Sequence, residues 1–201
     1  MNPELLRRAE EIDRFWFGAA DDPERNRMRK IWFTKDPAFD AEIRQRFTED
    51  YLRAASGAYD ALADTARGVL VLAILLDQFP RHLFRGDARA FATDAKARAV
   101  VERAIASGLD MQLSPVERVF VYLPFEHSED ITDQRRGVAL MQTLPVTDDF
   151  PAEARAEVID YAQKHLAIIE RFGRFPHRNA ALGRTSTPEE VAFLQQPGSS
   201  F

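Results

Sequence analysis

The feature that most constrains this chain is a residue pair that occurs at four places and marks the start of a helix. In each pair a helix-capping residue directly precedes a proline: Asn2-Pro3, Asp36-Pro37, Ser114-Pro115 and Thr187-Pro188. Proline suits the first helical position because its missing N–H would have no partner there, and the polar side chain before it accepts a hydrogen bond from the first turn. A glutamate three residues after Ser114 and after Thr187 adds a capping box at two of the sites. The pairs therefore predict four helices whose starts are fixed by local chemistry.

The rest of the chain has helical periodicity and no run of period-two alternation. We predict eight helices, at about residues 3–18, 37–56, 67–79, 88–107, 115–125, 129–143, 152–172 and 188–195. Gly108 and Gly173 stand where a left-handed residue ends a helix. Short connections favour antiparallel helix hairpins stacked in a TPR-like arrangement, although no 34-residue repeat is present. The expected fold is all-α, with one domain over residues 1–196 and a loose C-terminal tail at residues 197–201.

Composition narrows the classes of function. The 201 residues include no cysteine, which excludes disulfides, cysteine nucleophiles and thiolate zinc sites and fits a reducing compartment. The net charge of −5 argues against a nucleic-acid partner, because phosphate backbones bind positive surfaces. The most apolar run, residues 69–76, is much shorter than the ~20 residues of a membrane span, and the first residues lack the apolar stretch of a secretory signal. We expect a cytoplasmic protein with no membrane partner and predict no cofactor.

The predicted helix at residues 152–172 has a histidine on its apolar face. His165 shares three-four spacing with six apolar or aromatic residues: Val158, Tyr161, Ala162, Ile168, Ile169 and Phe172. Buried polar groups are normally hydrogen bonded. His165 is therefore either a core residue with one partner or part of a site between helices, and both interpretations remain open.

A second apolar stripe contains His127 and Gln134. It continues through Ile131, Val138 and Met141. The stripe requires a helix that begins near Glu126, just after Pro124, whose missing N–H should bend or break the chain. His127 and Gln134 would then point inward, with Glu129 in the first turn, where a carboxylate is favourable. Capping of this helix by Ser128 is the purely structural explanation of the segment.

The most apolar run ends in charged residues. Asp77 follows a segment that is hydrophobic on all sides, so its carboxylate should be at least partly buried and in need of a cation. Arg81, one helical turn further on, is the nearest candidate, and Gln78 lies between them. An internal ion pair that orients a loop would explain these residues, and a binding site would use the same side chains.

Residues 171–179 interleave three arginines and a histidine with two phenylalanines, around a glycine and a proline. The phenylalanines can anchor the loop while Arg174, His177 and Arg178 face a cleft, with Arg184 downstream as a further member. Guanidinium groups bind carboxylate or phosphate through two parallel hydrogen bonds. The alternative is a solvated connector whose arginines pair with the protein's own carboxylates.

Several of these segments together resemble the DUF924 family, a set of bacterial proteins of unknown function. The resemblance rests on residues 30–33, 75–81, 90–94, 125–130 with Gln134, and 171–190. It spans nearly the whole chain and departs from the family pattern at His82, where the family commonly has asparagine. The resemblance implies an all-helical, TPR-like fold and brings no activity, substrate or cofactor.

Ten polar side chains from these segments are expected to converge on one interior cleft. They are Asp77, Gln78, Arg81, His127, Glu129, Gln134, His165, Arg174, His177 and Arg178. The favoured function is binding of a small anionic molecule, a carboxylate or a phosphate, with or without catalysis. One alternative is a TPR-like module that binds a protein or an acidic peptide. Another is a metal-dependent enzyme with His and Glu ligands, although no ligand pair has diagnostic spacing, so no metal residues are assigned.

Overall fold

The computed structural model describes residues 2–199, and these residues form helices and turns with no strand. The α-helices are α1 (Pro3–Phe17), α2 (Pro37–Ser56), α3 (Ala66–Ala73), α4 (Phe79–Leu83), α5 (Asp94–Ala106), α6 (Pro115–Glu126), α7 (Ile131–Gln142), α8 (Ala152–Phe172) and α9 (Pro188–Leu194). A π-helical turn, Ile74–Gln78, joins α3 to α4, and we call this continuous helix the central rod. Counting the rod as one, the described residues form eight helices, which confirms the all-α prediction.

The four predicted helix starts are confirmed. Asn2, Asp36, Ser114 and Thr187 each cap a helix that begins with proline. Both capping boxes are closed, and the Glu190 carboxylate accepts a hydrogen bond from the Thr187 N–H at 2.7 Å. These starts depend on residues within one helical turn, which is why the sequence alone locates them.

Two of the predicted helix bounds are wrong, and so is the predicted break at Pro124. The helix predicted to end at residue 79 continues to Leu83. Helix α5 begins at Asp94, because residues 88–91 form a separate 3-10 turn. Helix α6 passes through Pro124 and ends at Glu126, so the predicted break before His127 does not occur. The N–H of His127 still bonds the carbonyl of Leu123 at 2.9 Å, and Pro124 removes only one helical hydrogen bond.

The stripe predicted to join His127 to Gln134 is also wrong, because the two residues belong to different elements. His127 is the C-cap of α6, and α7 begins only at Ile131. Asp130 fixes that start, since its carboxylate accepts hydrogen bonds from two N–H groups of the first turn. On α8, His165 is buried as predicted, but Tyr161 is exposed at the edge of the apolar stripe, with the Lys164 amine 5.2 Å from its ring.

The central rod runs through the core. Every side chain from Val69 to Leu76 is at most 1% exposed, and the rod contacts α1, α2, α5 and α6. Helices joined by short connections pack side by side, α6 against α7 and α7 against α8, while the stacking of hairpins into a TPR-like superhelix stays a prediction. No helix of residues 2–199 is long and apolar enough to cross a membrane.

The π-helical turn has a local cause in Pro80. This proline has no N–H for the carbonyl of Leu76. The hydroxyl of Thr93, just before α5, donates to that carbonyl instead, at 2.6 Å. Upstream, the N–H of Phe79 bonds the carbonyl of Ile74, five residues back. π-helical turns are rare in proteins, and many of those that occur lie at functional sites. This one contains two adjacent buried polar residues, Asp77 and Gln78.

The C-terminal segment returns to the rod after α8. Gly173 ends α8 in the left-handed conformation, with φ of 68°, as its position predicts. A short 3-10 turn, Pro176–Arg178, follows and brings Arg178 to the first turn of α5. Residues 200 and 201 of the predicted loose tail lie outside the described residues, and the Ser199 hydroxyl donates to the carbonyl of Leu194 at 3.2 Å.

Candidate functional site

The carboxylate of Asp77 is the centre of a buried polar cluster. Its side chain is fully buried, and Nδ1 of His127 lies 2.9 Å from both of its oxygens. Gln78 donates to Oδ2 at 2.6 Å, and Nη1 of Arg81 lies 3.3 Å from Oδ1, which confirms the predicted ion pair. Burial acts to raise the pKa of Asp77, but Arg81 and His127 outweigh it and hold this pKa well below its usual range. Asp77 is therefore an ionised carboxylate inside the protein.

A chain of alternating charges extends from Asp77. Arg81 makes a second, two-point contact with Asp94 on the first turn of α5, with N–O distances of 3.1 and 3.2 Å. Arg178 approaches the same carboxylate from the C-terminal segment, with its Nη1 3.4 Å from Oδ2. Two guanidinium groups therefore share Asp94, and Arg81 holds it at the shorter distances.

The guanidinium of Arg178 lies between two aromatic rings. Its Cζ is 4.5 Å from the ring centres of both Phe91 and Phe175, and the residue is only 6% exposed. Its Nε has no hydrogen-bond partner within residues 2–199. Burial, followed by the charge of Arg81, lowers the pKa of Arg178 to about 10, so the group remains charged at neutral pH. A buried cation with an open donor suits an anionic ligand.

His127 presents one ring nitrogen to Asp77 and keeps the other available. The side-chain hydrogen bonds that it forms with residues 2–199 all use Nδ1. A carboxylate only accepts, so Nδ1 carries the proton and Nε2 carries a lone pair. Burial and the charge of Arg81 lower the pKa of His127, which favours the neutral ring at pH 7. The side chain is 14% exposed, so the imidazole reaches the surface of the cluster.

His165 and Glu126 lie behind His127. The rings of the two histidines are 6.1 Å apart. Nδ1 of His165 is 2.9 Å from the carbonyl of Tyr161 and 3.0 Å from Oε1 of Glu126. Burial raises the pKa of Glu126 to about 8 and lowers that of His165 to about 3. At neutral pH both groups are mostly uncharged, so their contact is one between neutral groups rather than an ion pair.

His177 lies beside Arg178 at the edge of the cluster. Its ring is 5.5 Å from that of Phe175. Burial lowers the pKa of His177 to about 4, and the charge of Arg178 adds to the effect. The structure therefore brings seven predicted residues together: Asp77, Gln78, Arg81, His127, His165, His177 and Arg178.

The three other predicted residues form their hydrogen bonds outside this group, although the charge of Glu129 acts on Arg178 and His177. Gln134 donates to the carbonyls of Glu126 and Ser128 and so supports the α6–α7 connection. Glu129 accepts hydrogen bonds from the Phe175 N–H and the Arg184 guanidinium at 2.7 to 2.9 Å.

Arg174 binds the carboxylate of Glu190 at 2.6 and 2.8 Å. Arg174 and Arg184 thus behave as the connector interpretation of this segment predicts, because both pair with the protein's own carboxylates. Arg178 of the same segment differs from them, since its Nε–H lacks such a partner.

Sequence reasoning missed Asp94, Phe91 and Glu126. Asp94 looks like an ordinary acidic residue in a first turn, and the only signal for it and for Phe91 was their place in a stretch typical of the family. Glu126 was detectable, because it ends the apolar helix α6 just as Asp77 ends the apolar part of the rod.

Two depressions lie on the surface of the described residues. One lies between the start of α7 and the end of α8 and includes Glu129, and the other lies against α1 near Tyr59. Neither is lined by Asp77, His127 or Arg178. Among residues 2–199, no group of three or more His, Asp or Glu side chains is arranged to hold a metal ion.

Comparison with known proteins places the chain in a family. The model of a family described as "Bacterial protein of unknown function (DUF924)" matches residues 12–198. A solved structure, of the protein of unknown function ATU0120 from Agrobacterium tumefaciens, is 41% identical and has a TM-score of 0.81; the match covers 94% of this chain and 98% of that one. No curated protein matches the chain significantly. The chain therefore belongs to the DUF924 family of bacterial proteins of unknown function.

Proposed function

We propose that the protein binds a small anion, a carboxylate or a phosphate, at the guanidinium of Arg178. One observation carries this proposal: the guanidinium is buried between two phenylalanine rings, and its Nε–H has no partner among the described residues. A buried donor without an acceptor costs about 1–3 kcal/mol, and more when the group is charged. An anionic ligand would supply the missing acceptor.

Among the cations of the cluster, Arg178 makes the weakest contact with a carboxylate, which supports its choice as the ligand-binding group. The cations Arg81 and Arg178 lie beside the carboxylates Asp77 and Asp94, and the charge of Glu129 also acts on Arg178. Arg81 makes two contacts with Asp94 and one with Asp77, whereas Arg178 makes one long contact, at 3.4 Å. An incoming anion would therefore compete with Asp94 for Arg178 and leave the other pairs in place.

The aromatic rings strengthen this interaction. The ring centres of Phe91 and Phe175 each lie 4.5 Å from Cζ of the guanidinium, and the rings bury it from water. A cation in such surroundings attracts an anion more strongly than one in water, because the effective dielectric constant is lower. Access would be from the side of Arg81, His127 and His177, whose side chains keep partial exposure.

The alternatives have less support. The depression between α7 and α8 carries Glu129, Asp130 and Glu170 beside Arg135, a surface that would repel an acidic peptide. A metal ion would meet two arginines in the cluster, and no ligand group was found for it among the described residues. A small metabolite anion would suit the cytoplasmic location that the composition predicts, and we retain that location as part of the proposal.

Thermal unfolding with added anions tests the proposal. The panel is phosphate, acetate, malonate and succinate, on wild type, on Arg178→Gln and on the matched surface variant Arg135→Gln. A ligand at about 100 times its Kd adds ~2.7 kcal/mol to the free energy of unfolding. We expect at least one anion to stabilise wild type and Arg135→Gln but not Arg178→Gln.

A second variant at position 178 keeps the test valid if Arg178→Gln does not fold. Arg178→Lys keeps the positive charge without the planar fork, so it should fold and bind the same anion more weakly. The proposal is contradicted if no anion of the panel stabilises wild type. It is also contradicted if Arg178→Gln responds as strongly as wild type.

A further inference from the structure

We infer that His127 is the general base of a hydrolytic reaction, that Asp77 is its positioning residue, and that the substrates are small carboxylic esters that also carry an anionic group. This inference rests on the proposed function, because Arg178 would hold the anionic group of the substrate. The argument has three steps, which concern the orientation of the imidazole, the source of the nucleophile and the position of the anchor.

The first step is the orientation of the imidazole. Nδ1 lies at the same distance, 2.9 Å, from both oxygens of Asp77. This contact fixes the plane of the ring and the tautomer, as an aspartate does for the histidine of hydrolytic triads. Nε2 is left with a lone pair on a partly exposed ring. The lowered pKa of His127 keeps that lone pair available at neutral pH.

A second histidine of the chain shows what sets His127 apart. Asp77 has Gln78 and Arg81 as partners besides His127. His82 gives the contrast. It also holds an aspartate, Asp40, through Nδ1 at 2.7 Å, but it is buried against Trp16 and its Nδ1 faces Arg85 as well. The His82 pair is an internal contact, whereas the His127 side chain is partly exposed.

The second step is the source of the nucleophile. The sequence has no cysteine. The nearest hydroxyl in sequence, that of Ser128, donates to Asp133 and accepts from the N–H of Asp130, so it is turned away from His127. No Ser, Thr or Tyr hydroxyl within the described residues hydrogen bonds to this imidazole. The group that His127 would activate is therefore a water molecule.

The reaction is balanced without any further reagent. Water gives a proton to Nε2 while its oxygen forms a bond to the carbonyl carbon of the ester. The tetrahedral intermediate then breaks its bond to the alcohol oxygen, and the imidazolium returns the proton to that oxygen. The products are a carboxylic acid and an alcohol, and His127 ends in its original form. Asp77 remains ionised throughout and stabilises the imidazolium.

The third step is the anchor. His127 and Arg178 are linked through Asp77, Arg81 and Asp94 by the contacts described above, so the base and the open cation belong to one cluster. A substrate short enough to span them would place its ester near Nε2 when its anionic group binds Arg178. Small esters of dicarboxylic acids have this form.

The test uses mono(4-nitrophenyl) fumarate, whose trans carboxylate cannot attack its own ester, as the anionic ester and 4-nitrophenyl crotonate as its neutral counterpart, with the full chain. We expect wild type to hydrolyse the anionic ester with a kcat about 100-fold or more above that of His127→Gln, since general-base catalysis contributes about 10²–10⁴-fold. Asp77→Asn should lower kcat with little change in KM, because it disturbs the tautomer and not the anchor. Arg178→Lys should mainly raise KM.

The matched control is His82→Asn, which alters the other aspartate-bound histidine and should leave hydrolysis unchanged. A second readout needs no variant: the wild-type rate should fall as His127 is protonated, at a pH below the usual value of 6.5. The charged and titratable groups that face His127 are Asp77 and Arg81 from the rod, Asp94 from α5, His165 from α8, and His177 from the C-terminal segment. Glu126 is its neighbour in the chain.

Each outcome decides between the claims. Equal rates for wild type and His127→Gln, or a wild-type rate that does not change between pH 4 and pH 7.5, would overturn the inference. If succinate still binds in an Arg178-dependent way in that case, the proposed function stands alone. Equal kcat/KM values for the neutral and the anionic ester would contradict the proposed substrate class. If the protein also bound no anion, the proposed function would be contradicted as well.

Discussion

Replacing Glu126 by glutamine should change how the stability of this protein depends on pH. The Glu126 side chain is 4% exposed, and burial, followed by the charge of Asp77, raises its pKa to about 8. In the unfolded chain the group titrates near its ordinary value of 4.5. Between these two pKa values the unfolded chain releases a proton that the folded chain retains. The free energy of unfolding must therefore fall as the pH rises through this window.

The magnitude follows from the two pKa values. With 4.5 in the unfolded and about 8 in the folded chain, the contribution of Glu126 falls by about 2.5 kcal/mol from pH 5 to pH 7 and by about 3.5 kcal/mol from pH 5 to pH 8. Glutamine keeps the shape of the side chain and an oxygen for the contact with His165, but it does not titrate. Glu126→Gln should match wild type within about 1 kcal/mol at pH 5 and exceed it by about 3 kcal/mol at pH 8.

Urea unfolding at pH 5, 6, 7 and 8, followed by circular dichroism, measures this difference. Glu157→Gln is the control, because it makes the same chemical change at an exposed position of α8. The control should follow wild type at every pH. Parallel pH profiles for Glu126→Gln and wild type would refute the reasoning, because burial would then not keep this carboxyl protonated.

Three further changes test the fold. Thr93→Val should lower the free energy of unfolding by about 1–3 kcal/mol, because it leaves the carbonyl of Leu76 unpaired, and Thr93→Ser, which keeps the hydroxyl, should lose clearly less in the same urea titration. Gly68→Ala should cost about 1–3 kcal/mol, because its Cβ would overlap the carbonyl of Leu62; an unchanged urea midpoint would contradict this. Thr187→Ala opens a capping box and should cost ~1 kcal/mol, seen as faster hydrogen exchange in α9.

The helix starts could be predicted because their chemistry is local. Ser114 and Thr187 each meet their capping glutamate within one turn, so the sequence contains both partners side by side. The burial of His165 could also be predicted, since helical periodicity assigns this residue to the apolar face of α8. The π-helical turn was not predicted. Pro80 indicates the loss of one helical hydrogen bond, but the hydroxyl of Thr93, which bonds the freed carbonyl, comes from 17 residues away.

The sequence predicted most residues of the candidate site, but it did not predict which of them contact each other. Asp77 and Arg81 lie one helical turn apart, so their ion pair was expected. The contact between Asp94 and Arg178 spans 84 residues, and nothing in either segment indicates the other. Arg174 and Arg178 look alike in the sequence, yet one binds Glu190 and the other lies between two rings. Which arginine keeps an open donor is decided by tertiary packing.

The π-helical turn also sets the rotational phase of the central rod. Residues 74–78 accommodate one residue more than an α-helix would, and each residue of an α-helix turns the chain by about 100°. Deleting one residue there would rotate α4 relative to α3 by about that angle. Arg81 would then leave Asp94, and His82 would leave Asp40, at the same time. One inserted residue thus keeps two contacts with aspartates aligned, that of Arg81 with Asp94 and that of His82 with Asp40. An insertion or deletion in this segment would be tolerated far less than a substitution.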